Sequence, residues 1–204
     1  DIFAPLWAGA TLCIPEPGQM LFPAKLISWM SAQQISVAHM TPALSQVFAE
    51  GAQEAESIKE TLSSIRYIFF GGDVLTWRHV DKIKQIAPSA DFVNYYGATE
   101  TPQAMGYHVV DARKNGQFAN AIPLGKGIEG VQLLVLNAAG RLAGVGEIAE
   151  VHVRTPYLSK GYLNDDTLTD AKFISNPYAN TEDDRIYKTG DLGRYLPNGQ
   201  VMFH

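Results

Sequence analysis

Asp91-Phe92-Val93-Asn94-Tyr95-Tyr96-Gly97-Ala98-Thr99-Glu100-Thr101 runs from a short apolar stretch into two aromatic rings, a glycine, two hydroxyls and a carboxylate. In open α/β sheets, ligands sit beyond the carboxyl ends of the strands. The residue types suit a nucleotide. They offer flat faces for a base, a backbone able to approach a phosphate, and an oxygen ligand for a hard cation. The plainer alternative is a strand, a turn and a helix start, with Thr99 as cap and Glu100 in the first turn. Tyr187-Lys188-Thr189-Gly190-Asp191-Leu192, about ninety residues later, adds an acid suited to a ribose diol, although Asp191 could equally form a turn.

Outward from that stretch, the first half alternates between strand and helix patterns. Ala10 to Ile14 reads as a short strand ended by Pro15. Pro23 opens a helix with Leu26, Ile27 and Met30 on one face, since proline suits a first helical turn. Ile35 to Ala38 is a second strand, followed by a helix from Pro42 with Leu44, Val47 and Phe48 aligned. Ile65 to Phe70 is a third, β-branched and aromatic. Thr76 can cap the next helix, with Val80, Ile83 and Ala87 at helical spacing, and Asp91 to Tyr96 is the fourth strand. Strands separated by helices imply parallel pairing with right-handed crossovers, hence a doubly wound, mostly parallel sheet. Its strand ends bring together His39-Met40-Thr41-Pro42, Gly71-Gly72-Asp73 and Tyr96 to Glu100.

Past residue 107 the pattern changes. Val131 to Leu136, Glu147 to Arg154, Arg185 to Lys188 and Gly199 to Phe203 read as strands. Turns fall at Asn137 to Gly140, Gly144 to Gly146 and Pro197 to Gly199, and Asp166 to Phe173 reads as a helix. Gly125-Lys126-Gly127 reads as a bend between subdomains. The expected organisation is an α/β subdomain over 1–107 and a β-rich, distorted-barrel subdomain over 108–204.

Composition narrows the function. The 204 residues are 46% hydrophobic and 18% charged, enough for a sizeable core. A net charge of -5 with no basic run argues against nucleic acid as a partner. A single cysteine, Cys13, excludes an internal disulfide and reads as a core residue; no apolar run is long enough to span a membrane. A cytoplasmic setting fits. No two histidines have zinc-ligand spacing, and neither G-x-x-x-x-G-K-S/T, G-x-G-x-x-G nor G-x-S-x-G is present.

Asn94 to Thr101 resembles the N-x-Y-G-x-T-E motif of adenylate-forming enzymes. Gly146-Glu147-Ile148-Ala149-Glu150-Val151 with Lys160-Gly161-Tyr162-Leu163 resembles their G-E-L-x-I…R-G-Y-L motif, and Tyr187 to Leu192 their Y-R/K-T-G-D-L. Asp1 to Leu12 looks like the tail of the motif that begins the acyl pocket. The order is right and nearly the whole chain is covered. Adenylation domains of nonribosomal peptide synthetases are the most similar branch, and Gly144 to Glu147 with Val153-Arg154 also resembles aminoadipate reductases. Ala98, Ala149 and Lys160 replace the family's usual proline, glycine and arginine, at positions read as structural.

The resemblance implies ATP-dependent adenylation of a carboxylic acid, an amino acid in the leading case. The acyl group then passes to phosphopantetheine on a peptidyl carrier protein; acyl-coenzyme A ligases share every motif. It implies that Glu100 holds Mg2+, Thr99 binds phosphate, Asp191 fixes the ribose, and Asn94, Gly72 and Asp73 border the adenine, stacked between Tyr96 and Phe203. It assigns the acyl pocket to His39, Phe69, Gly71, Tyr95, Gln103 and Ala104. The family's phosphate loop would lie before Asp1 and its catalytic lysine after His204, so residues 1–204 alone are expected not to adenylate.

Overall fold

A computed structural model of the chain describes residues 2–54, 62–101, 103–111, 121–179 and 184–204. Two short helices, α1 (Phe3–Trp7) and α2 (Pro17–Met20), precede α3 (Pro23–Ala32). Pro23 stands in the first turn of α3, where its missing N–H costs nothing, and Leu26, Ile27 and Met30 are buried at helical spacing. Strands β1 (Val37–Met40), β2 (Tyr67–Phe70) and β3 (Asp91–Tyr96) pair in parallel in that order. Their crossovers are α4 (Pro42–Glu54) and α5 (Trp77–Lys84). Thr76 caps α5 in a reciprocal box: its side chain accepts from the His79 N–H, and its own N–H donates to His79 Nδ1 at 3.2 Å.

Helices α3, α4 and α5 pack in succession. Ile27, Val80 and Ile83 meet Ile68, Phe70 and Phe92 in the first core. Alternation along β1 and β2 leaves the opposite face open, with Val37 43% and Tyr67 40% exposed. Across β1 to β3 the winding runs in one direction. The register aligns Met40, Phe70 and Asn94, so the three following loops do emerge at one end of the sheet.

The sheet then continues past residue 107. Strand β4 (Gly106–Val110) returns antiparallel to β3, and β5 (Lys126–Gly127) pairs with β4, giving the mixed order β1-β2-β3-β4-β5. Gly125 to Gly127, expected to be a bend, is thus partly an edge strand. The second sheet comprises β6 (Gln132–Leu136), β7 (Ala149–Arg154), β8 (Phe173–Ser175), β9 (Arg185–Tyr195) and β10 (Val201–Phe203). Its order is β10-β9-β7-β6 with β8 beside β9, all antiparallel, around a core that includes Val135, Val151 and Val153. Helix α6 (Asp166–Lys172) feeds into β8.

Two other expectations are corrected. Ala10 to Ile14 forms no strand, and Ile14 is 74% exposed. A lone apolar run gains a ladder only beside a paired neighbour, and none is present among the described residues. Cys13 is half-buried rather than a core residue. Strand β9 is longer than expected because Thr189-Gly190-Asp191, which reads as a turn, lies within it. The β7–β9 register shifts there, with β9 running from Lys188 to Leu192 opposite β7 from His152 to Glu150, which accommodates the irregularity.

The sheets are joined directly. Val201 and Gly125 exchange backbone hydrogen bonds, Val201 N donating at 2.8 Å and Gly125 N at 3.2 Å. Gly125 has φ +89°, and a Cβ there would collide with the Tyr107 carbonyl. Gly125→Ala should therefore lower stability by about 3 kcal/mol or more. Gly140 has φ +69° but open space around it, so Gly140→Ala should cost only about 1–2 kcal/mol. Urea unfolding of the two variants measures the difference; equal losses would mean that close approach does not set the requirement at Gly125.

Candidate nucleotide and acyl site

Beyond Tyr96 the chain turns sharply. Gly97 permits this, because a Cβ would collide with the Gln103 carbonyl, and Gln103 itself takes φ +43°. Thr101, fully buried, closes the turn: Ala98 N donates to its Oγ1 at 3.0 Å, and Thr101 N donates to the Ala98 carbonyl at 3.1 Å. No helix follows. Thr99 is exposed at the tip, its hydroxyl without a partner among the described residues, and Glu100 is half-buried beside it.

The turn meets the second sheet through tyrosine hydroxyls. Tyr96 donates to Asp191 Oδ2 at 2.5 Å, across 95 residues of sequence. Burial first, then the carboxylate, raise the Tyr96 pKa, so its phenol keeps the proton it donates. Tyr162 donates to Glu100 Oε1 at 2.6 Å, and its oxygen lies 3.3 Å from the Tyr187 hydroxyl. Partial burial alone would raise the Glu100 pKa. Hydrogen bonds from Tyr162, its own N–H and Tyr187, with the charge of Lys172, outweigh burial and leave it lowered. Glu100 is an ionised carboxylate at neutral pH.

Asp191 is held as firmly. Its N–H donates to Thr189 Oγ1 at 3.0 Å, and Thr189 in turn donates to the Val151 carbonyl at 2.6 Å. Glu150 Oε1 accepts from Gly190 N at 3.0 Å. The β7–β9 register shift thus falls at the Thr-Gly-Asp segment. Phe203 and Tyr96 both pack against the second core.

The other face of β3 carries different chemistry. Tyr95 points away from Tyr96 and faces His39, ring centroids 6.0 Å apart, while His39 stacks on Phe69 at 5.0 Å. Gly71 lies under the Tyr95 ring, where a Cβ would clash. His39, Phe69, Gly71 and Tyr95 therefore come together. Gln103 is exposed and Ala104 half-buried on the following loop. Gly72, at φ +86°, and Asp73 are exposed after β2, with Asp73 Oδ1 accepting from Val74 N at 2.6 Å.

Asn94 is held from the side of the segment entering β5. It is 2% exposed, and its Nδ2 donates to the Pro123 carbonyl at 2.8 Å and that of Ile122 at 3.4 Å. Alternation puts it on the Phe92 side of β3, where its amide ties the first sheet to the segment entering β5. Tyr162, Tyr187 and Glu150 are legible in the sequence only as members of motifs. Nothing in their local sequence reveals that they grip Glu100 and Gly190.

This donor set fits a nucleotide-bound cation. Glu100 supplies one anionic oxygen pair, and no cluster of three His, Cys, Asp or Glu could hold a metal unaided among the described residues. Phosphate oxygens would have to complete the coordination.

Residues 1–163 match the AMP-binding enzyme family. The chain belongs to that family. It is 36% identical to L-2-aminoadipate reductase of Schizosaccharomyces pombe, over 98% of this chain and 16% of that protein. It is 30% identical to gramicidin S synthase 2 of Brevibacillus brevis, over 100% of this chain and 4% of that protein. PA1221, an NRPS protein containing adenylation and PCP domains, superposes with a TM-score of 0.75 at 29% identity, covering 89% of this chain and 35% of that one. The AMP-binding chain thus spans 16% or less of these two curated relatives. Among the described residues, no helix is long and apolar enough to cross a membrane.

Because Tyr95 and Tyr96 face opposite ways, their substitutions should separate. In the full-length protein that carries these residues, Tyr95→Ala should admit bulkier acids and leave ATP affinity within about twofold, as no nucleotide hydrogen bond is removed. Acid-dependent pyrophosphate exchange and calorimetry measure the two effects. Equal loss for every acid, with ATP affinity falling in parallel, would place Tyr95 at the base.

Proposed function

We propose that these residues form the nucleotide and acyl site of an adenylation domain. The reaction joins a carboxylic acid, in the leading reading an amino acid, to ATP, giving acyl-AMP and pyrophosphate. The acyl group then passes to the phosphopantetheine thiol of a peptidyl carrier protein in nonribosomal peptide synthesis. The observation that carries this reading is the meeting of Tyr96 and Asp191 at 2.5 Å, beside an exposed Thr99 and an ionised Glu100. An aromatic face and a carboxylate joined in this way suit a nucleoside, and the turn beyond them suits its phosphates.

In this reading the ribose hydroxyls donate to Asp191, and the base lies against Tyr96 with Phe203, Gly72 and Asp73 at its border. Thr99 donates to a phosphate oxygen. The acid enters along the opposite face of β3, between His39, Phe69, Gly71 and Tyr95, with Gln103 and Ala104 at the loop. Its carboxylate oxygen attacks the α-phosphorus in line, and the bond to the pyrophosphate leaving group breaks. Both reactants are anionic, so these residues act by positioning and charge placement rather than by moving protons. Mg2+ would supply charge neutralisation, with Glu100 as its protein ligand. A carrier domain as partner is supported by the likeness to PA1221. A cytoplasmic setting accords with the composition.

The 36% identity over 98% of the chain favours a second reading, the adenylating part of an aminoadipate-reductase-like enzyme. The adenylation chemistry is the same, and only the later fate of the acyl group differs. An acyl-coenzyme A ligase would differ in its thiol acceptor.

Glu100→Gln in the full-length protein should lower acid-dependent pyrophosphate exchange by about a hundredfold or more, the loss of a charge-stabilising contact worth about 3 kcal/mol. The melting temperature should stay near that of the native protein. Near-normal exchange would remove Glu100 from the cation site.

A further inference from the structure

Glu100 lies on a loop outside any helix or strand, yet the structure holds it at both its carbonyl and its carboxylate. Its carbonyl accepts from Ser159 N at 3.0 Å, and its Oε1 accepts from Tyr162. Both partners belong to the segment 159–162, which is itself fixed. Arg185 donates to the carbonyls of Ser159 and Lys160, each at 3.3 Å. Tyr162 N donates to Thr169 Oγ1 at 2.8 Å, and Thr169 donates to the Asp165 carbonyl at 2.8 Å. Asp165 caps α6 by accepting from Leu168 N at 2.8 Å. Gly161, at φ +148°, makes the approach possible, since a Cβ would collide with Thr169.

The Tyr162 ring is also fixed. It meets Phe173 edge-on at 5.6 Å, and Phe173 packs on Tyr187 at 5.1 Å. Tyr187 is buried, and its hydroxyl lies beside that of Tyr162. A chain of contacts therefore runs from the cap of α6 to one carboxylate oxygen. An exposed glutamate would otherwise sample several rotamers, and freezing it costs side-chain entropy when a ligand arrives.

We infer that Tyr162, backed by Tyr187, is a positioning residue that pins one oxygen of Glu100 and leaves the other for the cation of a bound nucleotide complex. This deepens the proposed function and rests on its assignment of Glu100 to the cation. Ligating carboxylates are held by outer hydrogen bonds of this kind, and losing one weakens metal affinity about 10–100-fold.

The test is calorimetry on the full-length protein with α,β-methylene-ATP, which cannot be cleaved to AMP. The Kd is measured in EDTA and in Mn2+, and their ratio reports what the cation contributes. Tyr162→Phe keeps the ring packing and removes only the hydroxyl. It should lower that ratio by about tenfold and leave the Kd in EDTA unchanged, with Glu100→Gln lowering the ratio at least as far. A ratio lost in Glu100→Gln but intact in Tyr162→Phe would overturn the inference and leave Glu100 at the cation. A ratio intact in Glu100→Gln would remove the assignment of Glu100, and the inference with it. Weaker binding of Tyr162→Phe in EDTA and Mn2+ alike would make Tyr162 merely structural. Should Tyr162→Phe not fold, Tyr187→Phe carries the test: a fall of about threefold is expected from one lost hydrogen bond, and an unchanged ratio overturns the inference.

Discussion

The Tyr96 hydroxyl donates to Asp191 Oδ2 at 2.5 Å, and that contact joins the carboxyl end of β3 to the middle of β9. Two sheets with separate cores must keep a fixed relation if one ligand is to touch both. Backbone pairing between Gly125 and Val201 sets their approach, and the buried amide of Asn94 secures the same joint. The tyrosine–carboxylate contact then converts a packing relation into a chemical one. A hydrogen bond to a charged group is worth about 1.5–3 kcal/mol, more than a neutral pair, and partial burial strengthens it. Glu100 and Tyr162 repeat the arrangement a few residues further on.

Strand β3 divides the work of the site by its own geometry. Side chains alternate, so Tyr96 turns toward Asp191 and the second core while Tyr95 turns toward His39 and Phe69. In the proposed site, nucleoside and acyl contacts would therefore begin on adjacent residues without competing for space. Gly71 under Tyr95 and Gly97 under Gln103 are the points where backbone must come close. Aromatic rings line one face and an acid stands on the other.

Much of this is legible in the sequence, for identifiable reasons. Strands β1 to β3 and helices α3 to α5 declare themselves through periodicity, proline and the Thr76 cap, because local preference and burial agree there. The ends of the three parallel strands then follow from topology alone, and they carry His39, Gly71 and Tyr96. Strand β4 escapes a sequence reading because Gly106 to Val110 is short, begins with glycine and contains a histidine. Its strand character comes from pairing with β3, which is not local. Strand β9 reads as shorter than it is because Thr189-Gly190-Asp191 has turn chemistry, and only the β7–β9 register shift lets it remain in the sheet. Asn94 shares the face of Phe92 and Tyr96, but its amide contacts with the carbonyls of Ile122 and Pro123, 28 and 29 residues away, have no local signal. The partners of Glu100 depend on contacts 59 or more residues apart along the chain, where no spacing rule reaches.

Coupling between Tyr96 and Asp191 is the claim on which the site depends, and a double-mutant cycle on ATP binding measures it directly. Tyr96→Phe, Asp191→Ala and the double variant of the full-length protein would be titrated with ATP by calorimetry. Asp191→Ala removes the acceptor of the tyrosine and, in the proposed site, of the ribose, so Tyr96→Phe should cost little in its presence. A coupling of about 1 kcal/mol or more between the two substitutions is expected. Additive losses, within about 0.3 kcal/mol, would show that the two residues bind nucleotide independently and would contradict it.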